Sequence, residues 1–112
     1  MPHDARLAQR IRDALGGRAG VTEKKMFGGV AFLLDGHMFV GVTGDSLMAR
    51  IGPANYEAAL RMKHVREMDF TGKPMRGYVF VDAPALAAAE DLRDWLQRAA
   101  AFVATLPPKA VK

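Results

Sequence analysis

The chain has no cysteine. Disulfides, thiolate metal sites and cysteine nucleophiles are therefore excluded, and a reducing compartment is compatible with the sequence. Histidine is scarce: His3, His37 and His64 are the three present, and no two share the i, i+4 spacing that places paired ligands on one helix. They read as surface or loop residues, and no metal or other cofactor is expected. There is no charge-free apolar segment at the start, where Asp4, Arg6, Arg10, Arg12, Asp13 and Arg18 fall. A secretory leader is not expected there. Apolar runs such as Val30 to Leu34 are far too short to span a bilayer. A bacterial-type cytoplasmic protein without a membrane segment is the expectation.

What is present suits one domain. A chain of 112 residues, half of them hydrophobic and a quarter charged, has an ordinary globular balance. Such a chain buries roughly two-thirds of its unfolded surface on folding, enough for a core without staples. The formal net charge is +4, and it is unevenly placed. Residues 1–25 and 50–76 each carry six basic against three acidic side chains, while residues 77–112 balance four against four. Charge of this size speaks to solubility and non-specific attraction, not to fold.

Periodicity predicts the elements. Leu7, Ile11, Ala14 and Leu15 form a stripe on a first helix that Asp4 can cap and Gly16-Gly17 stops. Met26 to Leu34 reads as a strand that is apolar on both faces toward its end, and Asp35-Gly36 as a two-residue hairpin turn. His37 to Thr43 and Ser46 to Ile51 are the next strands, joined at Gly44-Asp45. On the second strand, Met38, Val40 and Val42 are expected to oppose Phe39, Gly41 and Thr43. Gly52-Pro53 opens a short helix over about residues 53–62 that buries Tyr56, Ala59 and Leu60. Val65 to Phe70 and Gly77 to Asp82 read as strands around a loop at Thr71 to Pro74. A last helix, starting at Pro84 or Ala89, carries Leu92, Trp95, Leu96, Ala99, Phe102, Val103 and Leu106 at helical spacing. The predicted class is α+β in the order αβββαββα, with an ordered core over about residues 4–106 and a frayed tail over 107–112. A strand apolar on both faces needs cover on both, so a homodimer is left open, with Phe102 and Val103 as surplus contact residues.

These residues also carry a resemblance. The run Lys25-Met26-Phe27-Gly28-Gly29, the hairpin around Asp35 and Gly36, and Pro74-Met75-Arg76-Gly77-Tyr78 resemble the N-terminal domain of the TfoX/Sxy competence-regulator family. Leu106-Pro107-Pro108-Lys109 is similar to the small stand-alone members, and the resemblance covers about residues 5–109. It implies a two-layer sandwich like that of secretion chaperones, with helices on a five-stranded antiparallel sheet. It also implies a regulatory or interaction role with no established catalytic residues. Full-length members carry a second, helical domain that this chain is expected to lack.

Chemistry-bearing groups read as follows. Glu67 and Asp69 would share a strand face about 7 Å apart, and the solvated face is the preferred reading over a catalytic pair. Ser46 lacks a neighbouring histidine or a glycine elbow. Tyr56 and Tyr78 sit in apolar patterns. Gly28-Gly29 lacks the lysine of a phosphate loop and precedes a strand, so it reads as a bulge or a close backbone approach. Lys24, Lys25, Arg50, Arg61, Lys63, Arg66, Lys73 and Arg76 are the residues for a basic surface near one edge of the sheet. Phosphate contacts there would make a weak nucleic-acid accessory protein. The preferred reading is a non-enzymatic regulatory or adaptor domain that binds another protein.

Overall fold

The computed structural model describes residues 5–26, 29–68 and 76–106, and of Met26 only the backbone. Asp4, Phe27, Gly28, Asp69, Phe70, Lys73, Pro74, Met75 and the tail from Pro107 lie outside the described residues.

Helix α1 spans Ala5–Leu15 and buries Leu7, Ala8 and Ile11. Ala8 takes the place expected of Ala14, which is exposed. Six strands follow the order β1 (Val21–Met26), β2 (Gly29–Leu34), β3 (His37–Thr43), β4 (Ser46–Arg50), β5 (Val65–Glu67) and β6 (Tyr78–Val81). Helix α2 (Pro53–Leu60) lies between β4 and β5, with Pro53 in its first turn. A 3-10 turn (Ala83–Leu86) and helix α3 (Ala89–Val103) complete the chain. The α+β class holds, with six strands instead of five.

The extra strand is β1. Val-Thr-Glu-Lys-Lys-Met has no apolar face, so periodicity does not announce it. An edge strand needs only one neighbour, and charges on it discourage further pairing. Met26 pairs with Gly29 and Val21 with Leu34, so the single long strand expected at 26–34 begins in fact at Gly29.

All strand pairs are antiparallel, in the spatial order β1-β2-β3-β4-β6-β5. The register builds two rows across one face. One joins Val30, Val42, Leu47 and Val81; the other joins Phe32, Val40, Ala49 and Val79. Both rows enter a single core cluster with Leu7, Ile11, Tyr56, Leu92, Trp95, Leu96 and Ala99 from the helices. On the opposite face Ala31, Gly41, Met48 and Phe80 share a row, and Arg66 ends it. Ala31 and Met48 are buried, while Leu33 and Phe80 are half-buried.

Asp35 and Gly36 both adopt positive φ, 52° and 86°, as the hairpin signal requires. One feature of β3 departs from simple alternation. The register slips so that Phe32 faces Val40 but Leu33 faces Met38, leaving Phe39 as the extra residue of a bulge. Phe39 and Val40 are consequently both in the core cluster, not on opposite faces. The surplus expected on α3 is also used internally. Val103 is buried, and Phe102 packs against the Gly52 backbone, where an added Cβ would meet its ring.

Candidate interaction surfaces

The strand order separates the basic residues. Lys24 and Lys25 stand on β1 and point to opposite faces, while Arg66 stands on β5 at the other edge. Five inter-strand steps of about 4.8 Å each lie between those edges. Arg50 is half-buried on β4, its guanidinium 5.5 Å from the ring centres of both Tyr78 and Phe102. Arg66 lies 5.2 Å over the Phe80 ring. Arg76 lies 5.9 Å over Tyr56 and 4.0 Å from Glu57. Arg61 and Lys63 follow α2 and are exposed. Lys73 falls outside the described residues. The arrangement gives one pair of lysines at one edge and a looser group of cations at the other.

A polar clasp ties the β5 end together. Arg66 donates to both carboxylate oxygens of Asp82, with its shortest contact at 2.7 Å. The Ser46 hydroxyl, buried at the start of β4, donates to Asp82 at 2.9 Å and accepts from Arg66 at 3.2 Å. The Arg66 hydrogen bond holds the Asp82 carboxyl below its usual range; burial opposes it, and the Ser46 hydrogen bond adds a lesser lowering. The backbone N–H of Asp82 donates to the His64 carbonyl at 2.8 Å. Ser46 thus both donates and accepts a hydrogen bond, as a satisfied buried hydroxyl does.

Beside α2 the surface opens into a cleft of about 550 Å³ lined by Tyr56, Glu57, Leu60, Arg61, Glu67 and Arg76. Tyr56 is buried as expected, but its hydroxyl reaches out to Glu67 at 3.4 Å. Burial, then the Glu67 charge, pushes that phenol upward from its ordinary value. Tyr56 therefore stays protonated and donates. Met62, just past α2, is the exposed large hydrophobic residue among the described residues, at 41% of its free surface. Residue-by-residue reading overlooked Met62; its signal was an apolar side chain between Arg61 and Lys63 just after a helix.

The glycines of the resemblance do structural work. A Cβ on Gly29 would lie 1.9 Å from the Val42 carbonyl oxygen. The backbone there meets backbone, which only glycine allows. Gly77 accepts hydrogen bonds through its carbonyl from the N–H groups of Ile51 and Gly52, and a Cβ on it would press on the Gly52–Pro53 bond. Met26, Phe27, Gly28 and Met75 contribute no described side chain, and Tyr78 is half-buried beneath Arg50. Among the described residues, no three His, Asp or Glu side chains gather where they could hold a metal ion. Glu67 is described and Asp69 is not, so the carboxylate pair weighed from sequence lies partly outside the described residues. No described helix is long and apolar enough to cross a membrane.

An antiparallel sheet with its helices joined in one core, open surface clefts and motif glycines used for packing define a small α+β domain. The chain belongs to the TfoX N-terminal domain family, whose model matches residues 13–103. No curated protein and no solved structure matches it.

Proposed function

We propose that this chain is a non-enzymatic regulatory or adaptor domain that binds another protein, in the manner expected of the N-terminal domain of TfoX-type competence regulators. The observation that carries the reading is the α2 end of the sheet. There Met62 is exposed directly after Arg61, which lines an open cleft together with Tyr56 and Arg76. Methionine, tyrosine and arginine are the residue types enriched where proteins meet. The carboxylates in the same wall, Glu57 and Glu67, give the cleft both signs of charge, which suits a protein partner better than a polyanion.

Affinity capture from native lysate, with and without nuclease, tests the reading. Partners that survive nuclease and are lost from a Met62→Glu, Arg61→Glu variant support it. Partners that vanish with nuclease favour nucleic-acid contact instead, and capture that is unchanged in the variant removes the α2 end from consideration.

A further inference from the structure

A second cleft, of about 390 Å³, lies where the C-terminal end of α1 meets α3. Its wall holds Ala14, Leu15, Arg18, Arg93, Leu96 and Gln97, with two cations and no carboxylate. The local backbone presents Arg18 there. Its N–H donates to the Leu15 carbonyl at 3.0 Å across the Gly16-Gly17 turn that ends α1. Arg93 projects from the wet side of α3 and is exposed.

Three carboxylates nearby, Glu23, Asp94 and Asp13, are already engaged. Glu23 accepts two hydrogen bonds from Arg12, at 2.7 and 2.8 Å. Asp94 accepts from Arg98 at 2.9 Å, and Asp13 accepts from the Gln9 amide at 3.0 Å. Glu90, one turn before Arg93, forms no ion pair with it among the described residues. Among the described residues Arg18 and Arg93 form no ion pair, and Leu15 and Leu96 supply the apolar floor of the cleft that they line. An adjoining cleft shares Leu15 and Arg18 and runs on to Val21 and Phe32 of the β1–β2 edge. The site is thus at the sheet end opposite α2.

We infer that this cleft binds an acidic segment of a partner protein. Carboxylates of the segment pair with Arg18 and Arg93, an apolar side chain between them rests on Leu15 and Leu96, and Gln97 offers its amide to the extended backbone. Two guanidinium groups suit carboxylates because each can donate two parallel hydrogen bonds. A free phosphate would leave the apolar floor unused. A nucleic acid would call for a longer row of cations and for exposed rings, and the wall contains no aromatic side chain. The inference rests on the protein-binding reading above and supplies the second surface that an adaptor needs.

Titration of the ¹⁵N-labelled full chain with a short synthetic peptide of alternating glutamate and leucine tests it. Chemical-shift changes are expected at residues 14–18 and 93–97. The doubly substituted Arg18→Glu, Arg93→Glu chain is expected to bind about tenfold or more weakly, as is the wild type toward the glutamine–leucine peptide. Lys63→Glu, at an exposed cation in neither cleft wall, is expected to leave peptide affinity unchanged. Shifts confined elsewhere, equal binding by the doubly substituted chain, or equal displacement of the peptide from these residues by oligothymidylate would overturn the inference. Capture from lysate separates the two levels. Nuclease-resistant partners held equally by wild type and the doubly substituted chain leave the adaptor reading standing and remove this site. Absence of such partners from the wild type removes the adaptor reading itself.

Discussion

The two ends of the sheet reach closure by different means. At the β1 end, a six-residue edge strand without an apolar face is held by its full ladder to β2 and by the Arg12–Glu23 pair, which is well exposed on both sides. At the β5 end, a three-residue strand is held by a clasp that includes a buried hydroxyl. Length substitutes for burial at one end, and a saturated polar network substitutes for length at the other. The physical lesson is that an exposed ion pair contributes little to stability, whereas a network with a buried member is costly to break.

The largest expected effect breaks the first end through its backbone. Gly29→Ala places a methyl group against the Val42 carbonyl oxygen, and β2 must move away from β3. A loss of about 2 kcal/mol or more is expected in urea unfolding, since the atoms met are backbone and not the end of a flexible side chain. A cost near zero would mean that the β2–β3 approach is looser than described.

Next comes the clasp. Asp82→Ala removes the acceptor of the buried Ser46 hydroxyl and of the Arg66 hydrogen bonds, with an expected loss of about 1–2 kcal/mol. The same clasp sets a pH dependence. The folded Asp82 carboxyl titrates below its ordinary value of 3.8, so the unfolded chain binds its proton first as pH falls. Its stabilisation is complete above the unfolded value and is lost as pH drops through the lower folded value. Glu23, held below its ordinary value by the hydrogen bond from Arg12, adds in the same direction from the other end. Acid titration of stability should therefore be shallower in Asp82→Ala than in the wild type, and equal slopes would remove the clasp as the source.

A smaller change sharpens the contrast. Arg12→Ala is expected to cost less than about 1 kcal/mol, with the difference shrinking further as salt is added. A salt-independent cost above that of Asp82→Ala would reverse the comparison. Smallest in stability is Met62→Glu, within about 0.5 kcal/mol of wild type because the side chain is exposed. Its effect belongs to partner capture alone, and a large drop in thermal midpoint would show that Met62 supports the fold instead.

Much of the fold was legible because it rests on local chemistry. Asp35-Gly36 turns where two positive φ values are needed, Pro53 opens α2, and α3 buries the stripe of Leu92, Trp95, Leu96, Ala99 and Val103 that its spacing announces. The sites were legible only as residue types. Arg66 belongs to a clasp with Ser46 and Asp82, and Arg18 and Arg93 line one cleft although they lie far apart in the chain. Neither grouping leaves a periodic trace, since each joins elements that the register and the helix packing bring together.

By itself the sequence determined the class of fold, the turns and the inward stripes, because backbone preference and apolar spacing act over a few residues. Tertiary structure alone decided that Val21–Met26 is a strand, that the bulge turns Phe39 into the core, and which arginines line one cleft. Those outcomes depend on what lies across the ladder or beneath the helix, and a partner of that kind is set by the folded chain, not by its nearest neighbours along the sequence.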